Sequence, residues 1–348
     1  MAKKDHLIVG VDIGSYAVKV CQLHKTNHGY KLGAIGSATI TPGAVEDGVL
    51  QNPDEVAKTI SELFKNLKIK SKKIGISISG YSVIVKKVSL EKMDDNSLIE
   101  YIKNEAEQYI PFDVDDVYLD FQKLPQKRDN SERVEVMLVA AKKEIVDDYI
   151  KMLNEIKLDV VLVDVDGFAL ENIWESVSGK IENVALVDIG ASKMNINIIS
   201  DGISVLARDI VVGSEQLTEQ ISNILDVDYA QAEKIKLGID NIEDKKSEIT
   251  NIFNQTCTQW VLEIKKAIDL YAANNPEKPL QSLVLSGGGS KVNGLAQYIE
   301  EETSLKVISF NPLSTMIVEN KEFDSSYLEM IGPEMAIASG IAIRKSPF

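Results

Sequence analysis

Apolar residues along this chain follow two rhythms. Short runs dense in Val and Ile, bounded by Gly, Asn, Asp or Pro, read as strands, and stretches with an apolar residue at every third or fourth position read as helices. Residues 7–40 predict three strands in a meander that turns at Asn27-His28-Gly29. Residues 54–67 predict a helix with Val56, Ile60, Leu63, Phe64 and Leu67 on one face and Asp54 as its cap. The charged run KNLKIKSKK that follows is read as a solvated helix end. Strands at 74–78 and 82–88 flank Gly80. Residues 95–109 predict an amphipathic helix with Leu98, Ile99, Ile102, Ala106 and Tyr109 inward, stopped by Pro111. Strands at 117–124 and 134–141 enclose a polar loop, 125–132, and are followed by a helix at 144–156 and a strand at 160–165.

The second part of the chain begins with a helix at 167–176. Gly213-Ser214 opens a helix over 215–225, and Asp228 caps another over 229–237. Residues 247–273 predict a long helix. Its stripe of Ile249, Ile252, Phe253, Thr256, Trp260, Ile264, Ala267, Ile268 and Tyr271 is a core face. A strand at 280–285, a helix at 293–302, a strand at 307–308 and a closing helix at 333–344 complete the pattern.

One segment occurs twice. Residues 8–20 read IVGVDIGSYAVKV and residues 184–198 read VALVDIGASKMNINI, with Asp12 matched to Asp188 and Gly14 to Gly190. Each copy predicts a buried strand, a tight turn and a second strand. Two copies so far apart predict two similar half-domains facing each other rather than a solenoid. Turn N–H groups form a concave anion site, and Ser15 and Ser192 add hydroxyl donors. The Asp in each copy repels phosphate unless a cation lies between them. Mg²⁺ suits that place, since it takes one or two carboxylates and fills its shell with water and phosphate oxygens. A third motif, Ser286-Gly287-Gly288-Gly289-Ser290, joins a strand to a helix, a junction where backbone N–H groups approach a phosphate or nucleotide.

Composition narrows the field. A chain of 348 residues suits two domains, and 44% hydrophobic residues allow a sizeable core. The net charge of −15 disfavours nucleic acid as a partner and gives no attraction to anionic lipid. Cys21 and Cys257 lie far apart in apolar patterns and read as buried thiols, with His6, His24 and His28 forming no ligand cluster with them. The first residues lack the pattern of a signal peptide, and no run reaches the roughly 20 apolar residues of a membrane span. The expectation is a soluble cytoplasmic protein, held at a surface only by a partner.

The three motifs in this order resemble those of the actin-like ATPase superfamily, a resemblance that covers the whole chain. Residues 163–172 and 333–343 match its two connecting helices. The insert near Leu90 resembles the FtsA-type arrangement. Within it, EAEQYIPFDVDDVYLDFQKL and residues 163–170 resemble the PilM family of type IV pilus assembly proteins. The extended amphipathic tail of FtsA has no counterpart in Lys345-Ser346-Pro347-Phe348.

This resemblance implies an α/β chain with a duplicated ribonuclease-H-like fold and an FtsA-type inserted subdomain. Its implied divisions are a first half at 1–89, an insert at 90–159, and a connecting helix at 160–180. They continue with the second half at 181–212 and 279–330, its subdomain at 213–278, and a closing helix at 331–348. ATP and Mg²⁺ are the implied cofactors, with Asp12 and Asp188 on the metal. Gly14, Ser15, Tyr16 and Lys19 lie at the first phosphate hairpin, and Gly190, Ala191 and Ser192 at the second. Gly213 opens the nucleotide-side helix. Glu233 and Lys236 reach ribose and adenine, with a solvated helix face as the competing reading. Gly287, Gly288 and Gly289 lie under the adenosine. Asp166 falls where relatives hold a group near the attacking water, and slow hydrolysis or binding alone is expected.

The implied role is an ATP-binding adaptor of the pilus inner-membrane complex, or of the related type II secretion machine. Its implied partner is the cytoplasmic N-terminal tail of a PilN-like membrane protein, bound between the first half and the insert. Contact with pilus motor ATPases and self-association are further expectations. The alternatives are an FtsA-like filament protein and a sugar or acetate kinase. A kinase needs an acceptor site, and residues 50–88 carry no motif for one.

Overall fold

A computed structural model describes residues 7–124, 132–179, 182–240, 242–319 and 323–345. The predicted loop at 125–132 lies almost wholly outside the described residues. Strands β1 (Val9–Ile13), β2 (Ala17–Thr26) and β3 (Gly29–Thr39) form the expected antiparallel meander. A small hairpin of β4 (Val45–Glu46) and β5 (Val49–Leu50) leads into helix α1 (Pro53–Asn66). Its cap is Asn52, not Asp54: the Asn52 side chain accepts from the Glu55 amide, and Pro53 takes the first helical position, where no N–H is needed. Then β6 (Lys73–Ile78) returns parallel to β1.

The insert comes next. It consists of β7 (Val83–Glu91), helix α2 (Asp95–Glu105), β8 (Val117–Lys123) and β9 (Arg133–Lys142), with strand order β7-β9-β8. Helix α2 ends at Glu105, four residues short of the predicted end, and gives way to a 3₁₀ turn at Ala106–Gln108. Ile99 is 38% exposed, while Leu98 and Ile102 are buried, so the inward face is narrower than the spacing implied.

Helix α3 (Lys143–Glu155) and strand β10 (Asp159–Val165) follow. Both belong to the first half. Strand β10 pairs parallel with β6, and Tyr149, Met152 and Leu153 of α3 are buried against the same core as Val56, Ile60 and Phe64 of α1. The insert therefore runs from about Gly80 to Lys142, rather than over 90–159. The physical reason is connectivity: parallel neighbours β6 and β10 need a crossover helix, and α3 supplies it.

Helix α4 (Asp166–Ser178) crosses to the second half. There β11 (Val184–Ile189), β12 (Met194–Ser200) and β13 (Ile203–Ile210) repeat the meander. Helices α5 (Ser214–Leu225), α6 (Tyr229–Lys236) and α7 (Lys246–Asn274) form the added subdomain. Strand β14 (Ser282–Ser286), helix α8 (Leu295–Thr303) and strand β15 (Lys306–Ser309) complete the sheet. The two five-stranded sheets have the orders β3-β2-β1-β6-β10 and β13-β12-β11-β14-β15, with three antiparallel strands followed by two parallel ones in each. The repeat seen over one hairpin thus extends through both sheets.

Two short helices end the chain, α9 (Ser325–Ile331), which the sequence pattern did not predict, and α10 (Ala336–Ala342). The closing helix is shorter than 333–344 because Gly332–Met335 form a 3₁₀ turn. Helix α10 is buried throughout and lies against α4 and β1. Gly340 makes this possible, since a Cβ there would stand 1.9 Å from the Ala169 carbonyl oxygen. Cys21 and Cys257 are free and buried, as expected. Among the described residues, no helix is long and apolar enough to cross a membrane.

Candidate functional site

The two hairpins close with the same bond. Gly14 N–H donates to Ala17 O at 3.1 Å, and Gly190 N–H donates to Lys193 O at 2.8 Å. Gly190 and Ala191 of the second turn, and Tyr16 of the first, border the space between the halves. Tyr16, Lys19, Gly190, Ala191, Glu233, Lys236 and Gly288 line one cavity there, joined by Ser214, Glu215, Tyr229, Lys291 and Glu334. The predicted residues Gly14, Ser15 and Ser192 stand in the same turns without lining it, and Gly213, Gly287 and Gly289 pack against the second hairpin, also outside the lining.

Gly213 acts through packing rather than through its backbone angles. Its φ is −157°, which any residue adopts, but a Cβ would stand 2.1 Å from the Ala191 carbonyl oxygen. Helix α5 thus begins directly on the second hairpin, and Ser214 N–H donates to Gly190 O at 3.0 Å. The glycine loop differs from expectation. A 3₁₀ turn at Gly288–Lys291 separates it from α8, so no helix N-terminus faces the cavity from that loop.

Glu233 and Lys236 do not form a solvated face. Lys236 is buried, and its ammonium donates to Glu233 Oε1 at 2.5 Å, to Thr218 Oγ1 at 2.8 Å and to Ser214 O at 3.4 Å. Burial lowers its pKa, opposed by Glu233. The pair is held in one orientation before any ligand arrives. Lys291 and Glu334 form an ion pair at the rim of the same cavity.

Three carboxylates lie beneath. Asp12 and Lys19 face each other across the first hairpin, with Lys19 Nζ 3.1 Å from Asp12 Oδ2. Burial pushes Asp12 up, and the Lys19 ammonium only partly offsets it. Asp188 accepts from Ser286 Oγ at 2.7 Å; burial pushes it up to about 6, and Asp12 adds to the rise. Asp166 behaves otherwise. Burial would raise it, but Lys193, donating from 2.9 Å, brings it below the ordinary value. Lys193 was missed in the sequence reading, although it directly follows Ala191-Ser192. It aligns with Ala17 of the first copy, so comparing the copies position by position could have found it.

A Mg²⁺ ion suits this donor set. Two buried carboxylates with raised pKa values lack enough positive charge, and each keeps an oxygen that no lysine or serine occupies. Among the described residues no three acidic, His or Cys side chains form a ready-made metal cluster.

A second feature lies between the insert and the first half, with Gly202, Ile203 and Ser204 of the second half also on its border. It is a groove of about 770 Å³. Its walls come from Leu119 and Phe121 of β8, Met137, Val139 and Ala141 of β9, Val163 and Val165 of β10, and Phe168 of α4. Strands β8 and β10 are each the edge of their sheet. The apolar residues of β9 divide between its faces. Val134, Val136 and Leu138 pack with Leu98 and Ile102 of α2, while Met137, Val139 and Ala141 lie in the groove. One end is polar: Arg344 Nη1 stands 3.2 Å from Asp164 Oδ2, and burial, then Glu175, pushes Glu171 up to about 7.

The family model for the type IV pilus assembly protein PilM matches residues 10–346. The chain belongs to this family. A solved structure described as a PilM-PilN type IV pilus biogenesis complex is 26% identical to the PilM-family chain, covers 98% of each chain and superposes with a TM-score of 0.86. The cell division protein FtsA of Staphylococcus epidermidis is 20% identical over 371 residues, covering 93% of this chain and 78% of that protein. MreB5 of Spiroplasma citri bound to ADP is 10% identical, with a TM-score of 0.55 over 97% of this chain and 95% of that one, and shares the actin-like fold.

Proposed function

We propose that this PilM-family chain is an ATP-binding adaptor of type IV pilus assembly. Its groove holds the cytoplasmic N-terminal tail of a PilN-like inner-membrane protein, which keeps the chain beside that membrane. The observation that carries the reading is the groove itself: about 770 Å³, with apolar walls and a polar end, bounded by the edge strands of two sheets among the described residues, in a chain 26% identical to a solved PilM-PilN type IV pilus biogenesis complex. An extended peptide can pair its backbone with a free edge and set alternate side chains into apolar pockets.

The cleft is read as the nucleotide site. Lys19 and the turn amides of both hairpins hold phosphates, Glu233 and Lys236 hold ribose and base, and Asp12 and Asp188 hold the Mg²⁺ ion through their free oxygens. The ion supplies charge neutralisation between these carboxylates and the phosphates. Asp166 is the candidate base, but in the nucleotide-free protein Lys193 holds its carboxylate below the ordinary value, whereas a general base works best with a pKa near the working pH. Nucleotide therefore serves as a structural or regulatory ligand.

Titration of the full chain with a synthetic tail peptide tests the adaptor reading. Val139→Glu, which puts a charge on the groove wall, is expected to weaken peptide binding at least tenfold. Circular dichroism and ATP binding should stay unchanged. Full-strength peptide binding by this variant would put the site elsewhere.

A further inference from the structure

The β12–β13 ribbon of the second half grips the joint between the first half and the insert through two side chains, Lys193 and Asp209. From the turn of the second hairpin, Lys193 Nζ donates to Asp166 Oδ2 at 2.9 Å and to Ser79 Oγ. From β13, Asp209 Oδ2 accepts the Gly80 N–H at 2.5 Å, and its Oδ1 accepts from Asn195 Nδ2 at 2.6 Å. Ser79 and Gly80 connect β6, in the sheet of the first half, to β7, in the sheet of the insert. They are the joint on which the groove wall turns, since β7 pairs with β9 and β9 with β8. Gly80 has φ +84°, and its carbonyl accepts from Val83 N–H at 3.1 Å, so the path into β7 is set right there.

Lys193 belongs to the proposed phosphate turn, and its carbonyl closes that turn. Its ammonium has three donors on a flexible stem, and a phosphate seated on Gly190–Ser192 competes for it with Asp166 and Ser79. Resting on the reading of the cleft as a nucleotide site, we propose that Lys193 is a switch between two anionic partners. Without nucleotide it bridges to Asp166 and Ser79 and pins the joint. With nucleotide it turns to the phosphates, the Ser79–Gly80 joint loosens, and the wall of the peptide groove shifts. Cleft occupancy and groove shape are then linked through one side chain. Coupling requires only that a ligand interact differently with the two arrangements, and such coupling is typically about 5- to 150-fold in affinity.

Hydrogen exchange on the full chain, with and without saturating Mg-ATP, tests this without any peptide. In the wild type, ATP should speed exchange across residues 79–91 by about fivefold or more. Lys193→Met keeps the apolar stem and removes the charge. It should bind ATP more weakly by calorimetry, and at Mg-ATP concentrations that saturate it, exchange across 79–91 should no longer respond. Ser79→Ala, a smaller change at a buried position, should raise exchange without ATP and shrink the response, and it carries the test if Lys193→Met fails to fold. An unaltered ATP response in the variant that folds overturns the switch. So does a wild type that binds ATP with no change across 79–91, which leaves the nucleotide reading standing. A wild type that binds no ATP in calorimetry overturns both.

Discussion

Asp12 and Asp188 hold the same position in two copies of one hairpin, yet they face different residues. Opposite Asp12 in register stands Lys19; opposite Asp188 stands Asn195. The first carboxylate has an ammonium 3.1 Å away, and the second has only the Ser286 hydroxyl. The positive charge of the second copy sits instead in its turn, as Lys193, and is directed at Asp166. The duplicated cradle is symmetric in backbone and asymmetric in charge.

Mg-ATP binding should depend on both aspartates. Asp12→Ala and Asp188→Ala are each expected to weaken it, by about 10- to 100-fold if they anchor the shell around the ion. Calorimetry with and without Mg²⁺ measures this. Unchanged affinity in both variants would remove the two-hairpin site. Peptide binding should survive Asp12→Ala.

Stability without ligand should fall as pH rises through about 6. Burial raises Asp188 above its unfolded value, so the folded state binds its proton more tightly. That contribution is complete below the unfolded pKa of 3.8 and is lost as pH climbs past about 6. The full effect is on the order of 3 kcal/mol. Asp188→Asn keeps an acceptor for Ser286 and no longer ionises. It should unfold at higher denaturant than the wild type at pH 8, with a smaller margin at pH 5. Equal margins at both pH values would contradict the assignment.

Turnover should be slow. Without nucleotide Asp166 is paired with Lys193, and residues 50–88 carry no motif for an acceptor site. Phosphate release is expected well below the 10 per second or so of an ordinary enzyme. A steady-state rate near that figure would show that another group activates water.

Gly213→Ala should disturb the cleft although its backbone angles suit alanine. The added Cβ meets the Ala191 carbonyl at 2.1 Å, so α5 or the second hairpin must move. A cost of about 1–3 kcal/mol is expected from such overpacking, with weaker nucleotide binding. Thermal melting and calorimetry measure the two effects.

Much of this fold is written locally. The Val-Asp-Ile-Gly runs announce their hairpins because a buried strand and a glycine turn are short-range features, and the stripe on α7 is a plain 3.6 period. The limits of the insert are not local. Val83 to Leu90 alternates like any strand, and nothing within it states that its partner is β9 rather than β6. Helix α3 likewise reads the same whether it covers the insert or the first half. The site was legible where it uses repeated motifs. It was not where one long side chain reaches another element: Lys193, Lys291 and Glu334 acquire their partners only through the closure of the two halves.

The crossover helices show where the groove came from. In the second sheet, β14 passes to β15 through α8 alone; in the first, β6 passes to β10 through the same kind of helix, α3, with a three-stranded sheet spliced in ahead of it. The second copy therefore displays the first as it would stand without the splice, complete and closed. Heredity can work on the two grips separately. Substitutions in the spliced segment can reshape the groove while the twofold cradle keeps its geometry, and the two must agree at two seams, Ser79–Gly80 and the point where β9 runs into α3.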